Sequence, residues 1–127
     1  MRVWRVAGKD GKGFYFTEVS PGVAMSTAVS KMIGRDISSM TDQHPRPDDD
    51  GIQNVRSSDH FAFSSFEQLY AWFDKEMFIA SCKQGALLET WEVDERHVKQ
   101  GRRQVCFHRK KAKLVEVVKL ERYKLRR

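Results

Sequence analysis

Residues 60–73, HFAFSSFEQLYAWF, change hydrophobic period half-way. His60 to Ser64 alternate, with Phe61 and Phe63 on one side, as in a half-buried strand. From Ser65 onward, Phe66, Leu69, Trp72 and Phe73 recur at helical spacing. A strand that becomes a helix across two serines excludes both an all-helical and an all-β fold. The fold must place a sheet and a helix side by side at this point.

The flanking segments extend that pattern. Residues 2–7, RVWRVA, alternate as a strand, with Val3, Arg5 and Ala7 opposite Trp4 and Val6. FYFTEV (14–19) predicts a second strand, closed by Ser20, Pro21 and Gly22. Residues 24–37 carry helical spacing at Met25, Ala28, Val29, Met32 and Ile33, with Gly34 to close the helix. Residues 38–58 hold Pro45, Pro47 and the run Asp48 to Asp50, which predicts an exposed loop. The helix starting at Ser65 is expected to continue, with a break near Asp74, to a C-terminal cap at Gly85 as the one main central helix. Residues 86–95, 103–108 and 112–125 read as three further strand-rich runs, and 122–127 as a basic tail. This order predicts a single α+β domain over 1–127 with a mostly antiparallel sheet.

Composition bounds the function classes. A chain of 127 residues is long enough for one core, and 40% hydrophobic residues, with three Trp and eight Phe, supply its mass. No apolar run reaches the roughly 18 residues of a membrane span, and the start of the chain lacks the apolar region of a secretory signal. Cys82 and Cys106 do not make a disulfide framework, so a reducing cytoplasm is the expected setting. The formal net charge of +6 favours nucleic acid, phosphorylated ligands or acidic proteins as partners. Much of that charge lies in 96–127, where Arg102, Arg103, Lys110, Lys111 and Lys113 form the expected nucleic-acid or partner surface.

Several residues admit both a structural and a functional role. Ser65 with Gln68, or Ser64 with Glu67, spells a capping box, and a cap uses one serine. The other serine, at a helix start with free N–H groups, suits a phosphate or ribose. Arg2 and Arg5 are edge residues by default, but Arg5 shares a face with two small apolar residues and is the better phosphate-gripping candidate. HPRPDDDG (44–51) offers His44 and three aspartates, yet lacks the ligand spacing of a calcium loop, so no metal is expected. Cys106 and His108 have no CxxC partner for zinc. Gln104, opening a strand, is by default a surface residue.

The order of these elements resembles the ADP-ribosyltransferase fold of diphtheria-like and arginine-specific transferases and of RES-domain NAD-degrading toxins. Members of that fold open with an aromatic-Arg pair, matched here by Trp4-Arg5 in VWRVAG. A middle strand carries an aromatic-x-Ser element leading into a helix, matched by FAFSS with Phe63, Ser64 and Ser65. A late strand carries a glutamate; RQVCFHRKKAKLVEVV fills that place with Gln104 instead. The resemblance implies NAD as ligand, with Arg5 on a phosphate, Ser64 and Ser65 toward the nicotinamide ribose and Gln104 at the catalytic position. The departure matters, because an amide hydrogen-bonds a ribose but offers no negative charge to an oxocarbenium-like transition state. Glu89 and Glu92 on the preceding strand are geometric stand-ins.

The chain also looks like a set of small uncharacterised phage and bacterial proteins that share VWRV…GKGFY, HPRPDDDG, FAFSSFEQLYAWF and RQVCF. That resemblance implies phage or prophage origin and a place in the cytoplasm of the bacterial host. The resulting expectation is an NAD-like nucleotide-binding protein that acts on host machinery, cleaving NAD and transferring ADP-ribose if it is active. The alternative is a non-enzymatic basic phage protein that binds and inhibits a host defence or nucleic-acid-processing complex.

Overall fold

A computed structural model describes residues 1–8, 50–56, 58–83 and 85–126. The expected strand at 14–19, the expected helix at 24–37, and His44, Asp48 and Asp49 lie outside the described residues. Among the described ones, the order is β1 (Arg2–Ala7), β2 (Asp59–Ala62), α1 (Phe66–Trp72), α2 (Lys75–Lys83), β3 (Leu87–Val93), β4 (Val98–Gln100), β5 (Val105–His108) and β6 (Ala112–Lys119). Short 3-10 turns follow β3, β5 and β6.

The strands form two antiparallel three-stranded sheets, ordered β1-β3-β6 and β2-β5-β4. One bridge joins them: Trp4 and Phe63 exchange both backbone hydrogen bonds at 2.8 Å. Alternation along β1 and β3 then splits the interior into two cores. Val6 and Leu88 point to the helices and pack with Phe63, Leu69, Trp72, Phe73 and Phe78. Val3 and Val93 point to the second sheet and pack with Ala62, Val105 and Phe107.

The expected single central helix is two helices, divided at the break expected near Asp74. Trp72 and Phe73 are both buried, and consecutive residues of one helix diverge by about 100°. The chain leaves the helical conformation at Phe73, and Asp74 restarts it by accepting the Met77 N–H at 2.9 Å. The far end stops at the expected glycine: Gly85 has φ +77°, with Gly85 N–H donating to Cys82 and Ala86 N–H to Ser81.

Two expectations about exposure are corrected. Within the 38–58 segment, Gln53 to Arg56 are exposed, but Asp50 and Ile52 are buried. The strand-rich run expected over 112–125 ends as a strand at Lys119, and Leu120 after it is buried. Tyr123 follows, its ring 5.2 Å from that of Phe66.

Candidate functional site

The inter-sheet face of β1 carries Arg5 between Val3 and Ala7, both fully buried. The β1–β3 register sets Arg5 opposite Glu89 and Val3 opposite Trp91. Arg5 Nη1 donates to Glu89 Oε1 at 2.7 Å, and the Trp91 indole N–H donates to the same oxygen at 3.0 Å. Arg5 is 5% exposed and Glu89 6%. Removing two such charges from water is costly, and their mutual pairing offsets part of that cost.

His60 enters the same layer from β2. Its ring lies 5.7 Å from Phe107 and 6.1 Å from Trp91, centroid to centroid. Burial, then the Arg5 and Arg109 charges, push its pKa down to about 4. The imidazole is therefore neutral at pH 7. Together these residues make a charge-paired, aromatic-walled polar row between the sheets.

The Trp4–Phe63 bridge brings the separated sequence elements together. In that antiparallel register, Arg5 flanks Ala62 and Ser64 flanks Val3. Ala62 in turn faces Val105 on β5, so one further step along the ladder brings Phe63 toward Gln104. Arg5, Ser64 and Gln104 thus lie on three neighbouring chain segments: β1, the end of β2 and the start of β5.

Their side chains are differently employed. Ser65 is the N-cap of α1, its hydroxyl accepting from Gln68 N–H at 3.1 Å. Ser64 N–H and Oγ both donate to Gln68 Oε1, at 2.9 and 3.3 Å. The cap therefore employs both serines rather than one. Gln104 is buried, not on the surface. Val105 and Phe107 take the inter-sheet face of β5, so strand alternation aligns Gln104 with Cys106 instead, off the Arg5 row. Of the two carboxylate stand-ins, Glu89 joins that row. Glu92 is exposed beside Arg2 at 3.4 Å.

Asp50 is a structural anchor. Its carboxylate accepts the Arg103 N–H at 3.0 Å and the Gln104 N–H at 3.2 Å, and its carbonyl accepts the Arg102 N–H. That holds the turn before β5 and so fixes where Gln104 sits. Among the described residues, no group of three or more His, Cys, Asp or Glu could hold a metal ion. Burial, then the neighbouring Asp59 carboxylate, push the Cys106 thiol up to about 12, which leaves it un-ionised and a poor nucleophile. Asp59 itself is buried against its charge, but the Arg56 N–H and the Arg56 and Lys99 charges hold its carboxyl below the usual range.

The expected basic surface is divided. Arg102 and Arg103 are exposed at the start of β5; Lys110, Lys111 and Lys113 are exposed beyond its other end. Four strand residues separate the groups by about 13 Å along the strand. Among the described residues, no helix is long and apolar enough to cross a membrane.

Sequence reasoning missed the half-buried His60 and Trp91 as members of this row. The signal available was alternation: His60 lies two positions before Ala62 and four before Ser64, on the face opposite Phe61 and Phe63.

No curated protein matches the chain, and no solved structure does. A family model described as Bacteriophage T4 Y00F protein matches residues 1–121. With nearly its whole length matched, the two sheets and the buried row included, this chain belongs to the Bacteriophage T4 Y00F protein family, a family of small phage proteins.

Proposed function

We propose that this protein binds an NAD-like nucleotide on an ADP-ribosyltransferase-like frame and acts on host machinery. The observation that carries this reading is the adjacency of β1, β2 and β5. It brings the chain segments of Arg5, Ser64 and Gln104, far apart in sequence, next to one another, with Gln104 on the face away from the Arg5 row. Arg5 supplies the bidentate donor for a phosphate, and Glu89 must share or release it when the nucleotide binds. Ser64 can turn its hydroxyl from Gln68 toward a ribose. Gln104 offers amide hydrogen bonds without charge, and its backbone is pinned by Asp50.

This arrangement favours binding over cleavage. Departure of nicotinamide leaves positive charge on the ribose, which an anionic group must stabilise. The carboxylate beside Arg5 is Glu89, whose charge is already compensated. The test is equilibrium binding of labelled NAD together with nicotinamide release, with and without bacterial lysate, for wild type, Ser64→Ala and Gln104→Glu. Saturable binding weakened in Ser64→Ala, with turnover appearing in Gln104→Glu, supports a binding protein on a catalytic frame. Absence of binding and turnover in all three overturns the nucleotide reading.

A second reading is favoured by the exposed cations Arg102, Arg103, Lys110, Lys111 and Lys113. On that reading the protein is a non-enzymatic inhibitor that holds an acidic surface of a host defence or nucleic-acid-processing complex. Its affinity falls steeply with salt and is lost on replacing Lys110, Lys111 and Lys113 with Gln, whereas NAD binding is insensitive to that replacement.

A further inference from the structure

We infer that β6 is a docking edge for an extended, acidic and aliphatic segment of a partner protein. The inference rests on the second reading above and names its surface and partner chemistry.

Among the described residues β6 pairs with β3 alone and ends its sheet. Its aliphatic side chains Leu114, Val115 and Val117 are 43%, 44% and 45% exposed. The register sets Leu114 opposite Trp91 and Val117 opposite Glu89, so both extend the inter-sheet face beyond the reach of the second sheet. The ladder shifts between Thr90 and Trp91, leaving Val115 as an extra, bulged residue. An open depression continues this strip past the strand, lined by Val117, Val118, Lys119, Glu121 and Arg122.

Charge selects the occupant. Residues 109–122 hold six Lys or Arg against Glu116 and Glu121, and all eight are exposed. Glu116 is itself met by Arg122 at 3.7 Å. The strip is therefore aliphatic along its length and cationic at both ends. Nucleic acid would match the cations but not exposed valines and leucine without an aromatic platform. A second copy matches the valines but not the charge. Two copies of the 109–122 strip would bring twelve Lys or Arg against four Glu, so their net positive charges repel. Lysines and a bulge also keep an edge from pairing indiscriminately. A strand alternating Val or Leu with Glu or Asp satisfies all three constraints by strand addition.

The test uses three labelled peptides of equal length: alternating Val/Glu, alternating Val/Lys and Glu/Ser. Fluorescence anisotropy is read on wild type, Leu114→Thr/Val117→Thr and Lys113→Glu/Lys119→Glu, each checked for wild-type melting. The expected result is that wild type prefers Val/Glu over both others by about tenfold or more. The threonine variant should lose most of that affinity, and the charge-reversed variant should shift its preference toward Val/Lys. Equal binding of Val/Glu and Glu/Ser would leave the basic-surface reading standing and overturn the docking edge. So would concentration-dependent dimerisation abolished by Leu114→Thr/Val117→Thr, which assigns the strip to a second copy. Loss of all peptide binding on replacing Lys110 and Lys111 alone, with β6 intact, would overturn it too.

Discussion

Arg5 and Glu89 face one another across the β1–β3 ladder, 2.7 Å apart and nearly sealed from solvent, with the Trp91 indole closing on the same carboxylate oxygen. In a layer that also holds Val3, Val93, Val105 and Phe107, each charge lowers the cost of burying the other. The pair therefore ties the first strand to the third within the inter-sheet layer.

Removing one partner should be far worse than removing both. Glu89→Ala leaves a buried guanidinium and is expected to cost about 3–5 kcal/mol. Arg5→Met/Glu89→Leu should recover most of that, remaining below wild type by about 1–2 kcal/mol for the abandoned indole donor. Urea denaturation of Glu89→Ala, of the single variants Arg5→Met and Glu89→Leu, and of their double variant checks this. Additive losses would mean that the two residues are not coupled.

Asp50 is expected to behave as a buried staple. Asp50→Ala orphans the Arg103 and Gln104 N–H groups and should destabilise by about 2–4 kcal/mol. Gly101→Ala tests the same contact from the other side, since a Cβ there would lie 2.7 Å from the Gln104 carbonyl oxygen and collide with the Asp50 carboxylate. Both variants should show a lowered denaturant midpoint and faster amide exchange at 103–105. An unchanged midpoint in Asp50→Ala contradicts the staple.

The two serines should separate by magnitude. Ser65→Ala removes the N-cap of α1 and is expected to cost about 1 kcal/mol, with Ser65→Asp restoring most of it. Ser64→Ala removes a longer, part-buried bond while its backbone N–H still reaches Gln68, so a loss below about 0.5 kcal/mol is expected. Equal losses at both positions would show that Ser64 bears more of the cap than its geometry implies.

His60 gives the fold a pH dependence of known sign. Its folded-state pKa is depressed to about 4 from an ordinary 6.5. The unfolded chain therefore binds the proton more readily between those values. Stability from this group is fully present above 6.5 and is lost as pH falls toward 4. With allowance for partial solvent screening, the loss is on the order of 1–2 kcal/mol. Chemical denaturation at pH 7 and pH 4.5 on wild type and His60→Phe checks this, and the variant should show a shallower decline.

The sequence by itself determined what depends on near neighbours. The strand at 2–7, the switch from strand to helix across Ser64 and Ser65, a serine cap at that step and the stop at Gly85 all follow from hydrophobic period and backbone chemistry within a few residues. Antiparallel α+β architecture was legible for the same reason. Only the tertiary structure decided which strands became neighbours, because pairing across scores of residues is settled by packing of whole faces rather than by local preference. That is why Arg5 could be singled out from its face but its partner Glu89 could not be assigned. It is also why Asp50, in a stretch that reads as loop, is buried against a turn 53 residues away. The break near Asp74 was legible in the sequence; packing decided that it separates two helices, since Trp72 and Phe73 both reach the core.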